Sequence, residues 1–391
     1  MSIFVWGGVI VLLFLAVAAI AAFLIAPPVL EKTQNRVATL PPYQIAAEMK
    51  GLHRRLSIVD LHADPLLWKR DLLKRSSYGH IDVPRLIDSN VTLQVFAAVS
   101  KVPMGLNFES NAADSDLITM LAVVQAWPFR TWSSLCQRAL YQAEKLERFA
   151  ARSQGRLALV RSVQDLDELL SRRETETELV GGLLALEGVH ALEGELANLD
   201  TLYDAGFRII GLTHFFDNEA GGSAHGLEKG GLTSFGRELV QRVQERNMLL
   251  DLAHASPRVI DDVLALTNAP VIVSHTGVCG TCDNQRNLSD AHVRGIAATG
   301  GVVGIAMFEQ AVCGETIADT ARAIRYGVDL VGVDHLAVGS DFDGGITAPM
   351  DASGMALFTE ALIEQGFTEE ESAKIMGGNA LRVLREVLPR D

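Results

Sequence analysis

Six short apolar runs in this chain end in a residue that can bind a metal or move a proton. They are Ile58 to Asp64 (with His62), Leu183 to Glu187, Ile209 to His214, Leu249 to His254, Val271 to His275 and Leu336 to Asp341. A strand covered on both faces reads as a near-continuous apolar run of this length. Polar residues at the C-terminal ends of such strands, repeated around a parallel barrel, read as an active site. One such run would constrain little, but six with His, Asp or Glu at the same relative place point to a metal-dependent hydrolase.

The alternation along the chain supports that frame. Strands are expected at 57–63, 92–99, 182–187, 208–213, 248–253, 270–274, 301–307 and 335–340, with amphipathic stretches such as Ser234–Asn247 and Ser256–Leu266 between them. Strand–helix alternation implies right-handed parallel units, and eight of them suggest a closed (β/α)8 TIM-type barrel in the α/β class. Residues 100–180 do not fit the repeat. They read as a helical insertion after the second strand, with a short extra strand near Leu157–Val160, covering part of the site. The domain reading is an anchor over 1–30, a linker and entry helix over 31–50, and the barrel over 51–391.

The anchor reading rests on Ser2 to Leu30, which carry no charged side chain. A membrane span needs about 20 apolar residues, and a signal-peptide core is shorter and follows a basic stretch. A single uncleaved transmembrane helix, ended by Pro27 and Pro28, is therefore expected. Lys32 and Arg36 follow it, which on the positive-inside rule leans the barrel toward the cytoplasm but does not fix the side of the membrane.

Charge and cysteine content exclude other classes. The net charge is −14 over 391 residues and no basic stripe appears, so a nucleic-acid partner is not expected. Four cysteines do not make a disulfide framework. Cys279 and Cys282 form a C-x-x-C without the second pair that a zinc ribbon needs, while Cys136 and Cys313 stand apart; ordinary thiols are expected, with a disulfide or a redox role as the alternatives.

The strand-end residues divide by chemistry. His62 and Asp64 are two apart, so on a strand both point to one side and can reach one ion. His254 and His275 close consecutive strands about 4.8 Å apart and can share a second ion. Glu187 has two oxygens with which to bridge both, and a buried Glu with no cation would be costly. His214 can donate to a developing oxyanion. Asp341 can take a proton from water and return it to a leaving amine. Asp343, two residues on, is the alternative for that role or an orienting group for the loop. Arg286 can grip a substrate carboxylate with its two-pronged guanidinium, or form a surface ion pair.

Taken together, the stretches Leu186-Glu-Gly-Val-His-Ala-Leu, Leu202-Tyr-Asp-Ala-Gly-Phe-Arg-Ile-Ile-Gly-Leu-Thr-His214, Asp251-Leu-Ala-His254, Ser274-His275, Arg286-Asn287 and Gly339-Ser-Asp-Phe-Asp-Gly resemble the membrane dipeptidase (renal dipeptidase) family. The resemblance covers about residues 50–388. It implies a (β/α)8 barrel that hydrolyses dipeptides with two zinc ions per chain, through a hydroxide shared by both. It would make His62, Asp64 and Glu187 ligands of one zinc, and Glu187, His254 and His275 ligands of the other. It would place His214 and Arg286 on the substrate and Asp341 in proton transfer. It also implies tolerance of a D-residue at the second position and leaves a homodimer open. Val189 stands where the family often has a second glycine, and the tether expected here is N-terminal, unlike the lipid anchor of the animal enzymes. The rival is another dinuclear amidohydrolase acting on N-acyl amino acids or cyclic amides, since fold does not fix substrate.

Overall fold

All eight expected strands form, because each apolar run finds cover on both faces. In the computed structural model, which describes Trp6 and residues 23–390, they are β1 (Ile58–Ala63), β2 (Val91–Val99), β3 (Val180–Glu187), β4 (Phe207–Gly211), β5 (Leu249–Asp251), β6 (Ile272–Thr276), β7 (Val302–Ile305) and β8 (Leu336–Val338). Every residue in them is buried. Each strand pairs in parallel with its chain neighbour, and β8 pairs with β1, so the sheet closes on itself. Closure leaves no unpaired edge in the ring. The result is the expected (β/α)8 barrel.

The strands that carry function stop earlier than their apolar pattern suggests. β5 ends at Asp251 rather than 253, and β8 at Val338 rather than 340. The cause lies just beyond each end. His254 has φ 61° and Asp341 φ 62°, both in the left-handed region. A non-glycine residue there is uncommon and costs about 1–3 kcal/mol. The turn takes both side chains off the sheet ladder and over the barrel mouth.

The insertion after β2 holds a helix at Leu117–Val124, a second at Leu135–Arg152, a strand at Leu157–Leu159 that extends the sheet beside β3, and a helix at Val163–Arg173. Arg138 fixes its geometry from the inside. Its guanidinium donates to the carbonyl of Ser100 at 2.8 Å, to that of Thr131 at 2.7 Å and to Asp116 Oδ2 at 2.6 Å. Asp116 is also the N-cap of the Leu117–Val124 helix. One buried cation thus ties the end of β2 to both helices.

The N-terminal anchor is corrected. No helix among the described residues is long and apolar enough to cross a membrane, and residues 1–5 and 7–22 of the expected span lie outside the described residues. Pro27 and Pro28 do not end a helix either, since residues 23–34 are helical. Beyond the prolines the segment is anchored in the fold. Glu31 is buried with Oε1 2.9 Å from Arg70 Nε, and Asn35 Oδ1 accepts the amide of Gly345 at 2.9 Å. Arg36–Val37 then pairs in parallel with Thr347–Ala348 in the loop after β8. This segment is therefore a wall of the barrel mouth.

The cysteine reading is corrected too. Cys282 and Cys313 form a disulfide, and Cys136 and Cys279 are free. The partner of Cys282 comes from the segment after β7, which spacing along the chain cannot reveal.

Asp343 belongs to this scaffold. Its Oδ2 meets the Arg70 guanidinium, its Oδ1 accepts the His80 amide at 2.6 Å, and its own amide donates to His80 Nδ1 at 2.9 Å. Burial pushes its carboxyl up, but Arg70 and His80 outweigh that and hold it at about 2, below the ordinary 3.8. The depressed value means that its stabilisation is complete above the ordinary value and is lost as pH falls through about 2. Asp343→Asn leaves Arg70 with less compensation for its buried charge and is expected to cost about 3–5 kcal/mol at pH 7. Denaturant titrations should show that deficit shrinking between about pH 4 and pH 2.

Candidate metal centre and active site

The barrel brings the strand ends to one point, and that point is a carboxylate oxygen. Glu187 closes β3, and its Oε1 lies 3.1 Å from His254 Nε2 and 3.5 Å from the Nε2 atoms of His62, His214 and His275. His254 Nε2 and His275 Nε2 are 3.0 Å apart, and the His62 and His275 rings have centroids 3.7 Å apart. Asp64 Oδ2 is 3.5 Å and Asp341 Oδ1 4.0 Å from His62 Nε2. All seven side chains are buried. Gly188, just after Glu187, has φ 92°, and a Cβ there would come within 2.3 Å of the His190 ring, so only glycine allows the turn. Val189 packs in the hydrophobic core beside it.

Three sets of ligand atoms lie within 4.8 Å of one another: His62, Glu187 and His275; Glu187, His214 and His254; His62, Asp64 and Asp341. The structure brings the five expected ligands together, but none of these sets is either of the triads expected for one zinc, and His214 and Asp341 sit among them rather than apart.

The electrostatics are those of a cation site. Burial raises Glu187 and Asp64 well above the ordinary carboxylate range, helped by neighbouring acids. Asp341 is pushed up to about 8, chiefly by burial, with His62 opposing and Asp64 reinforcing. Burial likewise drives His214, His254 and His275 well below the ordinary imidazole value, so their rings are neutral. His62 Nε2 and Asp64 Oδ1 are buried without a hydrogen-bond partner among the described residues. Such groups are costly unless something binds them. Neutral imidazoles and carboxylates are the donor set that divalent zinc accepts, so the residues fit the metal.

A second layer, to which sequence reasoning gave no role, aims these rings. Ser274 Oγ lies 2.9 Å from His275 Nδ1 and 3.3 Å from His62 Nδ1, leaving both Nε2 atoms toward Glu187. Asp251 Oδ1 accepts the amides of Ala253 and Ser274, each at 2.9 Å, which joins the ends of β5 and β6. Asp60 accepts the Ser340 hydroxyl at 2.6 Å and amide at 2.7 Å, which sets the turn into Asp341. The available signal was an acid two or three residues before a strand-end histidine, as in Asp60-Leu-His62 and Asp251-Leu-Ala-His254.

Arg286 is buried on the loop after β6 and donates to the His275 carbonyl at 2.6 Å. It forms no ion pair among the described residues. Burial lowers its guanidinium to about 10, against the pull of Asp341, Glu187 and Asp251. Its loop is fixed by Asn287, which donates to the carbonyls of Cys282 at 2.7 Å and Ala311 at 2.9 Å, and by the Cys282–Cys313 disulfide. Gln285 next to it donates to Phe108 at 2.6 Å and Glu109 at 2.8 Å in the insertion. A cavity of about 440 Å³ opens onto Asp64, Glu187, His214, His254 and Asp341.

A parallel barrel with a buried His and carboxylate cluster at its C-terminal mouth defines the class of metal-dependent barrel hydrolases. Within it, this chain belongs to the membrane dipeptidase family, peptidase family M19, which matches residues 46–389. An uncharacterised protein from the pqqA 5′ region of Klebsiella pneumoniae is 32% identical over 62% of this chain and 93% of its own length. Dipeptidase aclJ of Aspergillus oryzae is 32% identical over 53% of this chain, and mouse Dipeptidase 3 is 27% identical over 86%. The match spans 52% of the fungal dipeptidase and 66% of the mouse one. A metallopeptidase from Rhodobacter sphaeroides, crystallised with a phosphinate mimic of the dipeptide L-Ala-D-Ala, superposes with a TM-score of 0.70 at 23% identity, covering 85% of this chain and 99% of its own. The probable dipeptidase PvdM of Pseudomonas aeruginosa gives 0.72 at 19% identity, covering 87% and 98%. These two likenesses establish the fold.

Ser274→Ala should release the Nδ1 sides of His62 and His275 while leaving every expected ligand in place. Loss of such an orienting partner typically weakens metal binding by about 10–100-fold. Competition with a chelating dye should show that drop with an unchanged circular dichroism spectrum.

Proposed function

We propose that this chain hydrolyses dipeptides, including those with a D-residue in second position, with two zinc ions per chain as cofactor. The observation that carries the reading is Glu187 Oε1 lying within 3.1–3.5 Å of four imidazole nitrogens that come from four different strand ends. His62, Asp64, Glu187, His254 and His275 would hold the metal, with Glu187 shared. Zinc supplies Lewis acidity and an activated water when bound at such a site.

The remaining groups act on the substrate. His214 Nε2, held neutral by burial, is a donor for the oxygen of the scissile carbonyl as charge develops there. Asp341, beside His62 and Asp64 at the mouth, is placed to take a proton from water and return it to the departing amine. Arg286 supplies a buried guanidinium for a substrate carboxylate, which it can bind in two-pronged fashion. A carboxylate anchored that close to the cluster favours a peptide of two residues. The phosphinate mimic of L-Ala-D-Ala held by the Rhodobacter sphaeroides protein supports the tolerance of a D-residue.

Enzyme stripped of metal and titrated with zinc tests the reading. Hydrolysis of L-L and L-D dipeptides, restored at two zincs per chain and absent on tripeptides and N-acyl amino acids, is the expected result. Turnover of N-acyl amino acids alone would overturn the substrate and the role of Arg286. Arg286→Ala should raise KM for dipeptides by about tenfold or more, and Asp341→Asn should lower kcat by about 10²–10⁴ with KM little changed.

A further inference from the structure

The cavity over the cluster has two unlike ends. Its floor is the polar group of Asp64, Glu187, His214, His254 and Asp341; among its walls are Leu67, Trp68, Leu117, Ile118, Leu121 and Val124. The last four lie on the Leu117–Val124 helix of the insertion, and Leu67 and Trp68 follow β1. No Lys, Arg, Asp or Glu lines that wall. Leu117 and Met120 at its rim are 43% and 52% exposed. A single exposed apolar residue is ordinary. Several along one wall of a cavity that ends in a metal cluster mark a surface for a ligand.

Position assigns the part of the ligand. The wall comes from the turn after β1 and from the insertion after β2, whereas Arg286 follows β6. In a closed ring of eight strands taken in chain order, β2 and β6 are four places apart and face each other across the mouth. On the dipeptidase reading, a substrate whose carboxylate meets Arg286, which lies outside the cavity lining, and whose scissile carbonyl lies over Glu187 would turn its amino-terminal residue toward the β1–β2 side. The volume of the whole cavity, about 440 Å³, falls within the range of about 300–1,000 Å³ typical of small-molecule sites, so it can take a dipeptide with a large side chain. We propose that the Leu117–Val124 wall selects dipeptides whose amino-terminal residue carries a large apolar side chain. This rests on the dipeptidase reading above and specifies its substrate class.

The test uses the full chain loaded with zinc and the substrates Leu-Ala, Phe-Ala, Gly-Ala, Asp-Ala and Ala-Leu. Leu-Ala and Phe-Ala should exceed Gly-Ala and Asp-Ala in kcat/KM by about tenfold or more, a ratio typical of apolar-pocket discrimination. Leu117→Asp places a carboxylate on the wall. Leu117 is partly exposed and is the first residue of its helix, where an acid suits the helix dipole and should not unfold it. The variant should cut the Leu-Ala to Gly-Ala ratio by about tenfold, mainly through KM, and raise turnover of Lys-Ala. A flat dependence on the first residue, a preference that follows only the second, or an unchanged ratio in the variant would overturn the inference while leaving the dipeptidase reading standing. Failure to cleave any dipeptide would overturn both.

Discussion

Everything at the barrel mouth is arranged around one carboxylate oxygen. Glu187 Oε1 is buried and ringed by four imidazole nitrogens, with Asp64 and Asp341 close by. Such a cluster destabilises itself without a cation. Desolvation and mutual repulsion lift the acids, and desolvation strips the histidines of charge. A dication reverses those terms together. The site is therefore held in a form ready to bind metal, and the stability that it sacrifices must come from elsewhere in the fold.

Much of that compensation lies in the layer behind the ligands and in the β8 loop. Ser274 turns two rings at once. Asp251 and Asp60 each tie adjacent strand ends through backbone amides, so a histidine or aspartate in a left-handed conformation cannot relax back into the sheet. The Glu31–Arg70–Asp343 chain extends this bracing to the N-terminal segment. Asp341 and Asp343 are two residues apart and face opposite problems. One looks into the site and is pushed up; the other looks into a cationic socket and is held down.

The sequence carried the barrel and the cluster because both are local signals. An apolar run is a strand, and a polar residue at its end lies at the mouth. This was enough to bring His62, Asp64, Glu187, His214, His254, His275 and Asp341 together. Features that depend on distant segments were not legible. The Cys282–Cys313 bond needs the spatial meeting of the segments after β6 and β7. The docking of residues 31–37 depends on Glu31 meeting Arg70, which no hydropathy window contains. Asp341 could be preferred over Asp343 from its place nearer the strand end, but the part of Asp343 in the scaffold needed Arg70 and His80, which lie outside any strand pattern.

The Cys282–Cys313 bond ties the loop that carries Arg286 to the chain after β7. Hydrogen bonds from Asn287 serve the same join, but they depend on packing and temperature, whereas the disulfide depends on electrons. The loop of Arg286 is thus closed by a covalent join as well as by packing, and the free thiol of Cys279 lies three residues from Cys282 in the same loop. Reduction of that bond would leave the loop of Arg286 joined to this segment by hydrogen bonds such as those from Asn284 and Asn287.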